Sequence, residues 1–429
     1  MAVQRARVAG VEGNSENMNT TNTNSSSPGI MKADRILSLD ALRGFDMFWI
    51  LGADSLGAAL TKISDNRITQ AFANQLDHAE WEGFRFYDMI FPLFVFIMGV
   101  STVLSLGKIV ERDGKASALG RVFKRGLLIF VVGLIYSGGL ANPWPDMRLM
   151  GVLNRIALCY TFGGIVFIYC NPKAMLGIAV ALLLGYWALL GWAPFPDVRP
   201  VPGDGSVITK GSYKDVSQLK MDSTNILHGS YVQGVNIVNY FDQRFLPGRK
   251  YDGTYDPEGI LSTIPAFATG LLGIFAGLLL VNKSTSPHQK VRWMIGAGVV
   301  MVVVGYVWGM NFPIIKKLWT SSYVLVAGGY SSILLGIFYW VVDVQKWQKW
   351  CQPFIWIGMN PITLYLASNF MGGLGFEKLA TRLAGGSVKN YLNNHLTSGF
   401  GDLILSLVGV MLFIFFARFL YQRKIFLRL

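Results

Sequence analysis

The sequence predicts an all-α, polytopic membrane protein with about ten transmembrane helices, and three observations carry that prediction. Apolar residues make up 52% of the 429 positions and charged residues only 15%, against about 25% charged in ordinary globular domains. The charges collect in short clusters between long apolar runs, as in a chain that crosses a bilayer repeatedly. Several of those runs contain glycine and a few polar residues, which bundled membrane helices tolerate better than lipid-exposed ones.

Residues 1–34, rich in Asn, Ser, Thr and Gly, hold no apolar core and no signal-peptide pattern, and read as a disordered cytoplasmic tail. Residues 35–429 read as a single transmembrane domain. Spans are expected near 36–60, 86–107, 122–141, 149–170, 174–192, 259–281, 291–311, 321–343, 352–371 and 402–420. The third is the shortest and is expected to begin as a basic amphipathic turn around Arg121, Lys124 and Arg125. The long polar loop 193–258, with its Pro, Gly, Tyr and Asp, is expected to cap the outer face.

The net charge of +13 raises nucleic acid as a partner, but the basic residues sit beside apolar segments and form no basic face interleaved with aromatics. Their partner is the lipid bilayer. Segments 1–35, 106–125, 171–174, 282–292, 343–350 and 418–429 carry 20 of the 38 Lys and Arg. By the positive-inside tendency, both termini are then cytoplasmic. Three cysteines do not make a disulfide framework: Cys159 and Cys170 share one predicted helix, about 16 Å apart along its axis.

Several polar residues lie where membrane helices rarely carry them. Asp40 and Arg43 share one face of the first span. They read either as a helix-end pair or as an arginine reaching a phosphate, with Asp40 positioning it. Asp54 lies deeper on the same helix, where a carboxylate belongs in a polar cavity. Of the four histidines, His78 stands out, in a compact stretch with Trp81 and ten residues before Asp88. A lone imidazole there can remove a proton from an attacking amine or accept an acyl group, with Asp54 or Asp88 orienting it. No second His or Cys accompanies it at metal-ligand spacing, so no metal is expected. Arg155, inside the fourth span, needs an anion, a carboxylate or backbone carbonyls. Asp256-Pro257-Glu258 suits a helix start, though Glu258 can also face a substrate cavity. Trp319, Ser322 and Asn360 add polar groups at span ends.

Together these segments resemble the heparan-α-glucosaminide N-acetyltransferase family and its bacterial relatives. The resemblance rests on Ser38-Leu-Asp40-Ala-Leu-Arg43-Gly44, His78-Ala-Glu-Trp81-Glu-Gly83 with Asp88-Met-Ile-Phe-Pro92 and Phe96-Ile-Met-Gly99-Val-Ser101, Gly151-Val-Leu-Asn-Arg155, Asp256-Pro-Glu-Gly259, Lys317-Leu-Trp319-Thr-Ser-Ser and Gly358-Met-Asn360-Pro. Each piece is unspecific; their order and spacing make the match, which covers nearly everything after residue 34.

The resemblance implies transfer of an acetyl group from cytosolic acetyl-CoA to the amino group of a glucosamine-type sugar, free or at a glycan terminus, at the outer side. It implies His78 as acetyl acceptor or general base, and it leaves Asp54 where relatives often carry Asn. The CoA nucleotide is expected near Asp40 and Arg43, with Arg121, Lys124, Arg125 or Arg155. Trp81, Glu258, Trp319, Ser322 and Asn360 are expected on the substrate side. The large lumenal N-terminal domain of the animal enzyme has no counterpart here, which argues against heparan sulfate as the acceptor. A bacterial inner-membrane location and a homodimer follow from the same relatives. The competing reading is a transporter of a sugar or organic anion without chemistry, which explains the buried charges and the many spans equally well.

Overall fold

A computed structural model describes residues 36–63, 66–201, 204, 214–370 and 375–427. The expected tail at 1–34 lies outside the described residues. The chain is helical nearly throughout. The first helices are α1 (Leu37–Ile63), α2 (Arg67–Gln75), α3 (Ile90–Tyr136), α4 (Val152–Tyr169), α5 (Pro172–Trp192) and the short α6 (Ile237–Phe245). Then come α7 (Thr263–Val281), α8 (Pro287–Gly309), α9 (Ser321–Phe338), α10 (Gln352–Gly358) and α11 (Pro361–Phe370). Two short helices, α12 (Gly375–Ala384) and α13 (Gly386–His395), precede α14 (Phe400–Gln422).

Among the described residues, seven helical segments are long and apolar enough to cross a membrane. The membrane class is thus borne out, but the count of about ten is not reached by that measure. The difference has identifiable sources. Spans two and three fall within the single helix α3. Span nine is divided at Asn360-Pro361 into α10 and α11, as expected where proline cannot continue a helix. The first span, α1, carries Asp40, Arg43, Asp46 and Asp54 along its length.

The 47 residues of α3 do not run straight. Gly114 interrupts the helix with φ 82°, a left-handed backbone that glycine adopts without Cβ clash. Ser101 and Thr102 before it and Arg121 and Arg125 after it line one cavity, so the two halves fold back on each other. The expected basic turn at 121–125 is therefore ordinary helix. Its neighbours Lys108, Glu111, Arg112, Ala116 and Leu119 are good helix formers, and charge alone does not end a helix.

Local signals fix several ends. Asn171 accepts from Ala174 N at 2.9 Å, with Pro172 at the first position of α5. Ser286 and Gln289 form a reciprocal capping box at α8. The start of α1 is held from a distance: Asp343, in the π-helical turn after α9, accepts from Leu37 N at 3.2 Å and Ser38 N at 3.1 Å. A carboxylate suits the positive end of a helix. Against α10, α1 packs backbone to backbone, since a Cβ on Gly44 would stand 1.7 Å from the Phe354 oxygen and one on Gly358 1.9 Å from the Asp40 oxygen.

The described part of the loop after α5 packs on the bundle as a lid. Its strands β1 (Phe195–Pro196) and β2 (Ile226–Leu227) pair antiparallel. Phe195, Val235 and Val238 of the lid pack with Tyr186, Leu190, Phe312, Ile315 and Leu318 of the bundle. Asp242 on α6 ties the lid to the approach of α7, accepting from Ile260 N at 3.0 Å.

Candidate active site

The segment between α2 and α3 folds around one carboxylate. A 3-10 turn, Phe86–Met89, turns Asp88 back on the preceding loop, where it is fully buried. Asp88 Oδ2 accepts from Ala79 N and from Arg85 N, each at 3.1 Å. Asp88 Oδ1 lies 2.9 Å from His78 Nδ1. Tyr323 of α9 donates to the Asp88 carbonyl at 2.8 Å. The His78 ring stacks on Tyr87 with centroids 4.6 Å apart. Because a carboxylate only accepts, Nδ1 carries a proton, and in the neutral ring Nε2 keeps the lone pair.

A second segment, 312–320, forms a shelf beside this loop. Gly83 N donates to the Ile314 oxygen at 2.9 Å, and Glu82 pairs with Ile315 in an isolated antiparallel bridge. Thr320 Oγ1 donates to the Pro313 oxygen at 2.8 Å and accepts from Ile315 N at 3.1 Å. Trp319 closes the shelf with φ 53°, a left-handed backbone that costs a bulky residue about 1–3 kcal/mol. Its indole is held by Thr269 Oγ1 at 3.2 Å. The shelf brings Lys316 Nζ to 2.8 Å from His78 Nδ1, 3.1 Å from His78 Nε2 and 3.4 Å from Asp88 Oδ1.

Three cavities adjoin one another through the bundle. The outer chamber, about 570 Å³, is lined by His78, Tyr136, Arg148, Tyr251, Glu258, Lys316, Lys317, Trp319 and Tyr365. A narrower passage of about 180 Å³ shares Ile50, His78, Glu258, Lys316, Val152 and Tyr365 with it, and is otherwise walled mainly by Met47, Ile90, Phe91, Phe94, Leu153 and Ile156. The inner vestibule, about 320 Å³, shares Phe94, Ile156, Pro361 and Ile362 with the passage and adds Arg43, Ser101, Arg121, Arg125 and Tyr160. One end thus carries an imidazole and a carboxylate with Arg148, Lys316 and Lys317, the other three guanidinium groups, with apolar wall between.

The structure separates the expected site residues. His78 and Asp88 come together; the side chain of Asp54 lies outside the described residues. Arg43, Arg121 and Arg125 meet in the vestibule. Arg43 also ties three helices, donating to Asp40 at 3.2 Å, to the Gly358 oxygen at 3.2 Å and to Ser101 Oγ at 2.7 Å. Lys124 is exposed and absent from the three cavity walls.

Arg155 does not join the vestibule cluster. It points to the other end of the bundle, donating to the Pro257 oxygen at 2.8 Å and to Ser262 Oγ, with its guanidinium carbon 4.7 Å from the Trp319 ring centroid. Its Nε and Nη1 are buried without a hydrogen-bond partner, and the Glu258 and Asp256 carboxylates lie near enough to bear on its charge. Glu258 and Trp319 do face the outer chamber. The Asn360 side-chain amide is buried without a partner, between Met359 and Pro361 of the vestibule wall.

Trp81 and Ser322 serve the fold instead. Trp81 Nε1 donates to the Tyr231 oxygen of the lid at 2.7 Å, and Ser322 Oγ to the Phe312 oxygen of the shelf at 2.6 Å. The residues that sequence reasoning passed over are Lys316 and Arg148. Arg148 holds Asp256 through two bonds of 2.8 and 2.7 Å and Glu258 at 2.7 Å. Burial works against the Arg148 cation, but the two carboxylates outweigh it and hold the guanidinium well above its usual range. Burial, with Asp256 alongside, pushes the Glu258 carboxyl up. Lys316 sat one residue before a quoted motif, and only its pairing partner across the fold could have singled it out.

Comparison with known proteins agrees with the motifs. Residues 35–195 match the family model described as heparan-alpha-glucosaminide N-acetyltransferase, catalytic. That stretch contains His78, Asp88, Arg148 and Arg155. Heparan-alpha-glucosaminide N-acetyltransferase of Homo sapiens is 27% identical over 397 residues, covering 81% of this chain and 55% of the human protein. The Mus musculus protein of the same name is 26% identical over 397 residues, covering 81% of this chain and 56% of its own length. The chain therefore spans about half the length of the curated relatives it matches. The resemblance read from the motifs stands, and it supports a transmembrane acetyltransferase family.

Proposed function

We propose that this chain transfers the acetyl group of acetyl-CoA to the amino group of a glucosamine-type sugar, with the two substrates approaching from opposite faces of the membrane. The observation that carries this reading is the arrangement of the three cavities: arginines at one end, His78 at the other, and an apolar passage joining them. CoA has the matching parts, a polyanionic nucleotide, a long thin arm and a thioester at its tip. Arg43, Arg121 and Arg125 take the phosphates, since guanidinium forks suit phosphate oxygens. The arm lies in the passage and presents the acetyl carbon to His78.

Asp88 fixes the histidine tautomer, so that Nε2 acts on the reaction. As general base, Nε2 takes a proton from the sugar amine while the amine nitrogen attacks the acetyl carbon. The carbon–sulfur bond breaks, and the departing thiolate of CoA is protonated. As nucleophile, Nε2 would first accept the acetyl group and then release it to the amine. Glu258, on the wall of both passage and outer chamber, is placed to receive the sugar. The vestibule opens beside Arg121, Arg125 and the chain end near Leu427, within the segments richest in Lys and Arg. This supports a cytoplasmic vestibule and cytoplasmic termini, in keeping with an inner membrane.

Acetyl transfer from labelled acetyl-CoA to glucosamine by the detergent-purified protein tests the proposal, with His78→Ala beside it. The expected result is transfer by the wild type and none by a variant that still binds CoA. Absence of both transfer and CoA binding would overturn the reading and favour transport. Uptake of sugar into proteoliposomes without thioester turnover would establish that alternative.

A further inference from the structure

Resting on that reading, we infer that Lys316 is a catalytic residue of the same site: its ammonium stabilises the oxyanion that forms as the thioester is attacked. Three observations converge. Lys316 Nζ lies against the His78 ring, 2.8 Å from Nδ1 and 3.1 Å from Nε2. Lys316 also lines both the apolar passage and the outer chamber, so it stands at the junction where thioester and amine meet. Finally, it is held there by backbone pairing, not by chance of rotamer alone. The Glu82–Ile315 bridge and the Gly83 N bond to the Ile314 oxygen lock the shelf to the histidine loop, and the left-handed Trp319 pins its far end. Preorganised donors of this kind supply the largest share of stabilisation in acyl transfer.

Nδ1 already donates to Asp88 at 2.9 Å. Nζ rests against the ring, near both nitrogens and 3.4 Å from Asp88 Oδ1, which leaves the Nε2 lone pair to the incoming amine. When the acetyl carbon and the amine arrive, Nε2 turns to the amine proton and Lys316 donates to the acetyl oxygen. The carbonyl π electrons move to that oxygen as the nitrogen–carbon bond forms. They return as the carbon–sulfur bond breaks, and the sulfur leaves with its electron pair. No proton leaves Lys316.

Other charged groups bear on His78 from each packed element. Asp88 comes from the 3-10 turn, Asp77 and Arg85 from its own loop, and Glu258 and Arg148 from across the chamber, with Lys317 beside Lys316. Of these, Lys316 is the one cation among the described residues within hydrogen-bond distance of the ring.

The test compares Lys316→Met and Lys316→Arg with the wild type in the full chain, measuring kcat and acetyl-CoA affinity. Lys316→Met is expected to lower kcat by about 10²–10³-fold while CoA affinity is kept. Lys316→Arg keeps the charge and recovers part of kcat. An unchanged kcat in Lys316→Met would overturn the inference, and so would a parallel loss of kcat and CoA affinity in Lys316→Arg and Lys316→Met alike. A wild type that turns over thioester and needs His78 but not Lys316 sinks this inference alone. A wild type without turnover sinks the reading beneath it as well.

Discussion

The two ends of the cavity series are built differently. At the outer end the groups around His78 are closely tied: Asp88 takes three hydrogen bonds, and the shelf is stitched by Thr320, Ser322 and Trp319. At the inner end Arg43 is tied by three bonds, but the two arginines beside it are looser. Arg125 leans on the Tyr160 ring at 4.9 Å and keeps a buried Nε without a partner, and Arg121 is exposed. Under the proposed function the contrast is a division of labour. Chemistry needs groups fixed within tenths of an ångström, whereas capture of a polyanion needs only positive charge that can adapt.

The largest effect that would break this comparison is expected at Asp88. Asp88→Asn loses the carboxylate that sets the His78 tautomer, and acetyl transfer should fall by roughly 10²–10⁴-fold. CoA affinity, measured by calorimetry, should hold; if affinity fell instead, the two ends would not be separable. Arg125→Ala should do the reverse. Loss of one charged contact of about 1.5–3 kcal/mol raises KM for acetyl-CoA by about 10–100-fold, with kcat nearly unchanged in steady-state kinetics. Arg121→Ala should act in the same sense but more weakly, and added salt should narrow both differences.

The joint between the ends offers a third test. Gly358→Ala forces a Cβ against the Asp40 carbonyl, beside the Arg43 anchor. A loss of about 1–3 kcal/mol is expected, read as a lower melting temperature in detergent. The smallest effect concerns the lid. Burial, with Asp256 nearby, pushes the Asp242 carboxyl up to about 7 against the pull of the Ile260 and Asp256 amides, whereas an unfolded aspartate titrates near about 3.9. The folded lid therefore binds a proton that the unfolded chain has released. Its stability should decline as pH rises from about 4 to about 7 and then level off. Asp242→Asn should flatten that slope in thermal unfolding measured across the range.

The membrane helices were legible because apolar runs declare themselves. What was not legible follows from weaker physics. The loop expected between the second and third spans is helix, because its charged residues are good helix formers and one glycine makes the turn. The amphipathic α2, α6, α12 and α13 carry too little apolar length to register as spans. In the site, His78 and Asp88 were readable from type and spacing. Lys316 was not, since a lysine in a polar loop is unremarkable until Ile315 pairs with Glu82, far away in sequence. Trp81 and Ser322 bond to lid and shelf. Arg155 was read as a charge needing an anion, a carboxylate or carbonyls and as a candidate for CoA; it bonds to a carbonyl and a serine hydroxyl, with an indole beside it and two carboxylates near.

The apolar walls of the passage also bear on bioenergetics. A sodium ion driven through the stretch walled by Met47, Ile50, Ile90, Phe91, Phe94 and Ile156 would have to shed its hydration with almost nothing offered in return before it met His78, Glu258 and Lys316. Under the proposed function, such a passage would let a neutral acyl group through and leave the voltage of an energised membrane intact.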